Sequence, residues 1–213
     1  MPTRVLLLRH AESADPTIFH GAESDVGLSE RGRHQAEAVA PYLARFAPTQ
    51  IISSGMRRAL DTAKPIALAC DLNVHVEPLL HERRVGALSG TPTAGRDGVW
   101  PDTLRHWVAG DTGFAPSGAE SFDAICSRLL PVWERLTTTY DGQTFVVIAH
   151  GVVIKVLLVS LLPGLTVADW PRLGPIHNVG VSELVCAENG WYAARLNELP
   201  PQVVAANEVR NPS

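Results

Sequence analysis

Arginine and histidine recur where apolar runs of the chain end. Leu6-Leu7-Leu8 runs into Arg9-His10, Ile51-Ile52 into Ser53-Ser54 with Arg57-Arg58 close behind, and Val146-Val147-Ile148-Ala149 into His150-Gly151. In an open parallel sheet, sites form outside the carboxyl ends of the strands. One histidine in such a place is more often a structural hydrogen-bonding residue than a catalyst. Several cationic or nucleophilic strand ends on one edge are instead an anion trap, aided by the helix N-termini that follow them. Arginine matches phosphate oxygens with forked, paired hydrogen bonds. Phosphoryl transfer asks mainly for positioning and charge stabilisation around three equatorial oxygens, and a neutral imidazole in line with phosphorus can be the nucleophile. The remaining part is a proton donor for the leaving oxygen. Glu82, within Leu79-Leu80-His81-Glu82-Arg83-Arg84-Val85-Gly86, is the best placed carboxyl. Strand position alone does not choose between Arg57 and Arg58, nor between the two histidines as nucleophile.

The elements that must hold these residues are legible as alternating strands and helices. Val5 to Leu8 reads as a strand buried on both faces. Ser29 caps a helix with apolar positions Ala36, Val39, Ala40, Leu43 and Phe46. Gln50 to Ser53 is a second strand, and Ser54 is expected to cap a helix running to about Ala69. Asn73 to Val76 is a third strand. Residues 86–117 form a Gly-, Pro-, Thr- and Asp-rich excursion with at most one short helix, and loops of that length are usually functional. Ser117 to Glu120 fits a capping box, followed by a helix through Phe122, Ile125, Leu129, Val132, Trp133 and Leu136. Pro41, Pro65 and Pro131 should kink or shorten their helices. Phe145 to Ala149 is the most apolar strand, with Val152 to Leu162 its helix. Val181 to Cys186 and Trp191 to Leu196 read as an antiparallel hairpin. The expected architecture is a three-layer α/β/α domain with a mostly parallel sheet and an antiparallel C-terminal hairpin. It covers residues 1–200 as one domain with a lid at about 86–117, and residues 201–213 are a loose tail.

Composition narrows the function classes. The chain has 213 residues, 46% hydrophobic and 19% charged, which excludes disorder as its main state. Its formal net charge of −4 excludes holding nucleic acid by bulk charge, so bound anions need a local cluster of cations. The apolar tract from Phe145 to Leu165 is broken by His150, Gly151 and Lys155, so no membrane span is expected. Cys70, Cys126 and Cys186 are scattered, and Met1 to Leu8 has no signal-peptide layout. A reducing, cytoplasmic setting is expected.

Taken together, the motifs resemble those of the histidine phosphatase superfamily, whose members include the cofactor-dependent phosphoglycerate mutases. Leu6 to Ser13 looks like its R-H-G-E-[ST] signature, and Ser53 to Ala63 is similar to its S-S-x-x-x-R-A-x-Q-T-A segment. Leu28 to Ala36 matches its L-[ST]-x-x-G-x-x-Q-A helix. Glu82 with Gly86 fits E-x-x-x-G, residues 117–121 its G-E-S helix start, and His150-Gly151 its second histidine. The matches come in order over nearly the whole chain. Ala11, Asp61 and Pro16 stand where the family commonly has glycine, glutamine and asparagine. The resemblance implies a phosphohistidine at His10, phosphoryl oxygens held by Arg9, Arg58 and His150, and Glu82 as general acid and then base. It also implies no metal and no organic cofactor.

The expected activity is phosphomonoester hydrolysis, with mutase-type phosphoryl transfer as the alternative. Glu82 to Gly90 looks like the E-R-x-Y-G-x-L-x-G stretch of the mutases, which suggests a small phosphorylated acid whose carboxylate meets Arg83. Val85 replaces the tyrosine, and the lid is shorter and less basic, so hydrolysis is preferred. A non-catalytic phosphate-binding module is disfavoured because every core residue is present. A metal hydrolase is disfavoured because arginines beside the histidines would repel a cation. Among outer residues, Ser13 is expected to donate to phosphate, and His20 and Gly21 to approach the substrate from the loop. Glu12 could instead orient an arginine. Arg96, Arg105 and His106 read as solvated surface, Trp100 and Trp107 as lid packing, and His177-Asn178 as turn chemistry. The hairpin offers an edge at which two copies can pair as a homodimer.

Overall fold

The computed structural model describes residues 1–93 and 98–208, apart from the side chains of 207 and 208. Strands β1 (Thr3–Arg9), β2 (Gln50–Ser53), β3 (Val74–Val76), β4 (Thr144–Ala149), β5 (Val181–Ala187) and β6 (Gly190–Glu198) make one sheet in the order β3-β2-β4-β1-β5-β6. β1, β2, β3 and β4 run parallel, and β5 is antiparallel to both β1 and β6. The apolar runs alternate their side chains between two faces, as a period of two dictates. Leu6, Leu8, Ile51, Val146 and Ile148 pack toward helices α1 (Glu30–Ala44) and α2 (Arg57–Cys70). Val5, Leu7, Ile52, Phe145 and Val147 pack on the opposite face. There they meet α3 (Val99–Val108), α4 (Phe122–Thr139) and α5 (Gly151–Leu161). This is the expected layered architecture, with both sheet faces covered as a parallel sheet requires.

The register decides where the chemistry goes. Arg9 pairs with Ala149, and Ser53 pairs with both Ile148 and Val76. The carboxyl ends of four parallel strands therefore open on one edge. Arg9-His10, Ser53-Ser54, His150 and the segment leading to Glu82 all leave the sheet there.

Several local expectations need correction. Ser29 does cap α1, accepting the Gly32 N–H at 2.9 Å. Ser54 does not cap α2. That helix begins after Met56, and the Arg57 N–H is met by Asp25 Oδ1 at 2.6 Å from a loop remote in sequence. The α4 cap is Ser121, whose Oγ accepts from Ala124 N, whereas the Glu120 carboxylate of the expected box turns to Arg128. Pro41, Pro65 and Pro131 lie inside helices that continue through them. The packed apolar faces of these helices offset the lost hydrogen bonds. The tail after Pro200 is not loose over Pro201–Glu208. It forms α6, and Val203 is fully buried in the layer that contains α1. Pro201 suits a first helical position because its missing N–H costs nothing there. The excursion holds a single turn, Gly86–Leu88, and the short helix α3. Arg96 lies outside the described residues. No helix among the described residues is long and apolar enough to cross a membrane.

The first turn of α1 is pressed against the chain leaving β1. A Cβ at Gly32 would stand 2.0 Å from the Glu12 carbonyl oxygen. Gly32→Ala is therefore expected to lower the unfolding free energy by about 1–3 kcal/mol, although alanine is the better helix former. A urea midpoint equal to or above that of the unchanged protein would show that this contact yields freely.

Candidate active site

His10 lies at the carboxyl end of β1 and is almost fully buried. Its Nδ1 lies 2.6 Å from the Ala11 carbonyl oxygen. A carbonyl only accepts, so Nδ1 carries the proton and Nε2 carries the lone pair. The backbone on either side is fixed as well. Ala11 N–H donates to Thr62 Oγ1 at 2.9 Å, and Asn178 Nδ2 donates to the His10 carbonyl at 2.9 Å. The next residue, Val179, donates its N–H to the Arg9 carbonyl and holds φ at +51°. That conformation is strained for a β-branched residue, and such strain is typical of functional sites. Burial, then the positive charges of Arg9 and Arg58, push the His10 pKa well below its ordinary value. The imidazole is neutral at neutral pH.

Both arginines reach the same place from different elements. Arg9 ends β1 and donates from Nη1 to the Ile176 carbonyl at 2.7 Å. Arg58, in the first turn of α2 and 2% exposed, donates to the Gly21 and Ser24 carbonyls at 2.9 and 3.0 Å. Arg58 thus braces the loop after β1 as well as facing the cavity. Arg57, the alternative left open by strand position, is exposed beside Asp61. Burial lowers the pKa of both buried guanidiniums, and the Glu82 charge partly counters this.

His150 is fully buried at the end of β4, with its ring centroid 5.1 Å from that of His10. Its Nε2 is 2.8 Å from Ser54 Oγ, a hydroxyl that also accepts the Met56 N–H at 3.3 Å just ahead of α2. Burial, then Arg58 and the neighbouring His10, push its pKa well below the ordinary value. His150 is not on the wall of the cavity described next. It sits behind His10, with Nδ1 buried and lacking a hydrogen-bond partner among the described residues.

A cavity of about 640 Å³ opens over this edge of the sheet. Arg9, His10, Ser13, Arg58, Glu82 and Arg83 are on its wall, with His20 and Gly21 on the loop side. Glu82 is held from several directions. Its Oε1 accepts the Arg83 N–H at 2.8 Å, and Oε2 accepts the Val152 N–H at 3.3 Å. Arg128 clamps the surrounding backbone, donating to the Leu79 carbonyl at 2.6 Å and the Glu82 carbonyl at 3.4 Å. Its Nε and Nη2 also meet the Glu120 carboxylate at 2.7 and 3.0 Å. Glu120 in turn accepts the Arg84 N–H at 2.9 Å. Paired, hydrogen-bonded charges of this kind fix geometry more than they add stability.

The outer residues divide. The His20 ring is tied into its own loop, near Ser24 Oγ and the Ala14 and Asp15 carbonyls. Glu12 accepts from Ser29 Oγ at 2.8 Å and meets Arg31 at 3.5 Å, so it steadies the start of α1. Arg83 has no exposed surface. Its Nε donates to the Glu120 carbonyl at 2.8 Å, and its guanidinium lies 4.8 and 5.1 Å from the Trp100 and Trp107 ring centroids. Its Nη1 and Nη2, like Arg9 Nε, are buried without partners among the described residues. Unpaired buried donors are costly, and both residues contribute to the cavity wall. Turn chemistry does not describe Asn178, which lines the cavity. Nothing in its local spacing marks a bond to His10, 168 positions away. No group of metal-ligating side chains occurs among the described residues.

Comparison with known proteins identifies the family. The model of the histidine phosphatase superfamily (branch 1) matches residues 5–199. A bifunctional protein of Mycobacterium tuberculosis is 38% identical over 160 residues, 74% of this chain and 43% of that protein. The chain thus spans less than half the length of that relative. The glucosyl-3-phosphoglycerate phosphatase of Mycolicibacterium vanbaalenii is 33% identical over 189 residues, covering 85% of this chain and 83% of that protein. The solved structure of a mycobacterial glucosyl-3-phosphoglycerate phosphatase superposes with a TM-score of 0.80 at 30% identity, covering 93% of this chain and all of the other. The chain belongs to the histidine phosphatase superfamily, branch 1.

Proposed function

We propose that the protein hydrolyses phosphomonoesters through a phosphohistidine on His10. The observation that carries this reading is the tautomer of His10: with Nδ1–H given to the Ala11 carbonyl, Nε2 is a neutral lone pair on the cavity wall beside two guanidiniums and a carboxyl. Nε2 attacks phosphorus while the ester P–O bond breaks, and the leaving oxygen takes a proton from Glu82. Water then gives a proton to the Glu82 carboxylate and attacks the phosphohistidine, which releases inorganic phosphate and restores Nε2. Arg9 and Arg58 hold the equatorial oxygens, and Ser13 adds a donor from the wall. His150, whose Nδ1 has no hydrogen-bond partner among the described residues, is the further group assigned to a phosphoryl oxygen. Gly21 and His20 shape the loop that meets the substrate, and residues 86–117 serve as a lid.

The substrate we propose is a small phosphorylated acid, with Arg83 meeting its second acidic group. The unpartnered Nη1 and Nη2 of Arg83 support this. So does the likeness to a glucosyl-3-phosphoglycerate phosphatase and to the metal-independent phosphoserine phosphatase of Arabidopsis thaliana, 29% identical over 195 residues. The test is a panel of phosphomonoesters that includes monophosphoglycerates with and without a bisphosphorylated primer. Release of inorganic phosphate, insensitive to chelator, is expected. Primer-dependent movement of phosphate between glycerate positions would replace hydrolysis with mutase chemistry.

A further inference from the structure

Lys155 is a cavity-wall cation that the reaction above leaves without a task. It lies on α5 three and four residues after Val152 and Gly151, and all three line the cavity, as that helical spacing allows. Its Nζ is 5.0 Å from the Trp170 ring centroid and donates to the Trp170 carbonyl at 3.3 Å. An ammonium has three protons to donate. No carboxylate pairs with Lys155 among the described residues. The nearest acid in sequence to Trp170, Asp169, is engaged by Thr166 and Arg172. On the lid helix, Asp102 faces Arg105, and beyond its end Asp111 faces His106. The neighbouring wall is apolar: Leu104, Val108, Trp170 and Ile176. Trp170 packs against Trp100 and Trp107, with ring centroids 6.5 and 5.6 Å away, and Arg83 lies against those two rings. Lys155 and Arg83 thus both lie against one aromatic cluster of the cavity wall.

We propose that Lys155 is a specificity-determining residue whose ammonium binds a carboxylate on the non-reacting end of the substrate. This rests on the phosphatase reading and adds a residue to it. A half-buried charge with no counter-ion is unfavourable, and a bound carboxylate supplies the missing partner. Burial without an opposing charge lowers the Lys155 pKa to about 8. Only the protonated amine attracts the carboxylate, so recognition fades as the pH rises through about 8. The other charged or titratable wall groups are Arg9 and His10 from β1, Glu12 and His20 from the loop after it, Arg58 from α2, and Glu82 and Arg83 from the segment before the lid. Arg83 is also assigned to the acidic tail; burial lowers its pKa only to about 10, so it stays charged through pH 9.

The test is a ratio of kcat/KM values for 3-phosphoglycerate and glycerol 3-phosphate, which differ by a carboxylate against a hydroxymethyl group. Groups that serve the phosphoryl end cancel in this ratio. Between pH 7 and 9 it is expected to fall about tenfold in the unchanged protein. In Lys155→Met it should be about tenfold lower at pH 7 and flat with pH, and Lys155→Arg should restore it and remove the pH dependence. A ratio that Lys155→Met leaves unchanged at pH 7 overturns the proposal. If no ester is turned over, the phosphatase reading fails by itself. Calorimetric binding of the same two compounds at pH 7 and 9 then decides Lys155 separately: selective loss of 3-phosphoglycerate affinity in Lys155→Met upholds it, and equal affinities refute it.

Discussion

Replacing His10 with alanine is expected to reduce kcat by about 10,000-fold or more, since removal of a nucleophile takes away a whole reaction path. No neighbour can take its place. The His150 Nε2 is beside Ser54 Oγ, and its ring stands behind the cavity wall. Ser13 is on the wall, but no base hydrogen-bonds to its hydroxyl among the described residues. A short incubation with labelled ester, quenched in alkali, should leave an acid-labile, base-stable phosphate on the unchanged protein and none on His10→Ala. The charge state adds a second readout. Because the folded His10 pKa is well below the ordinary value, the unfolded chain binds a proton below about pH 6.5 that the folded chain refuses. Stability therefore rises with pH through that window and falls in acid. His10→Ala removes one such group, so its denaturation midpoint should drop less between pH 7 and 5 than that of the unchanged protein. Unchanged turnover in His10→Ala would end the phosphohistidine account.

What the sequence discloses about this site is what its local periodicities encode. A short β-branched apolar run such as Val146 to Ala149 reads as a buried strand, and the residue after it then emerges at the edge. That reasoning expects Arg9, His10, Arg58, His150 and Glu82 around one opening; Arg9, His10, Arg58 and Glu82 line the cavity, and His150 lies beside His10 off its wall. What it misses are bonds whose partners are far apart in the chain. Ser54 looks like a helix cap because capping is a local pattern, yet its hydroxyl serves His150, 96 positions away. Asp25 reaches α2 across a loop. Arg128 braces the Glu82 backbone from the opposite end of the lid excursion. The helix after Pro200 is too short and too weakly amphipathic to declare itself, and it forms because Val203 finds the α1 layer. Lys155 reads only as an interruption in an apolar helix until Trp170 is packed over it.

Glu82→Gln is expected to separate the two halves of the reaction. Glutamine keeps an oxygen for the Arg83 or Val152 N–H, so the segment braced by Arg128 should hold its place. What it loses is an exchangeable carboxyl proton. Protonation of a leaving alkoxide by a placed acid contributes about 100- to 10,000-fold, so kcat on an alkyl phosphate such as a phosphoglycerate should drop by that range. With p-nitrophenyl phosphate the leaving group is stable as an anion, and formation of phosphohistidine should be far less impaired. The second half still needs a base to take a proton from water, and that base is missing. Nitrophenolate should therefore appear in a burst approaching one equivalent per His10, followed by a slow steady state, with phosphohistidine accumulating as turnover stalls. The unchanged protein should hold a far smaller steady-state fraction of phosphohistidine at the same substrate concentration. A Glu82→Gln protein that hydrolyses alkyl and aryl phosphates at undiminished rates would move the proton-transfer role away from Glu82. One that loses both substrates equally, without a burst, would show that Glu82 orients Arg9 and Arg58 rather than moving protons.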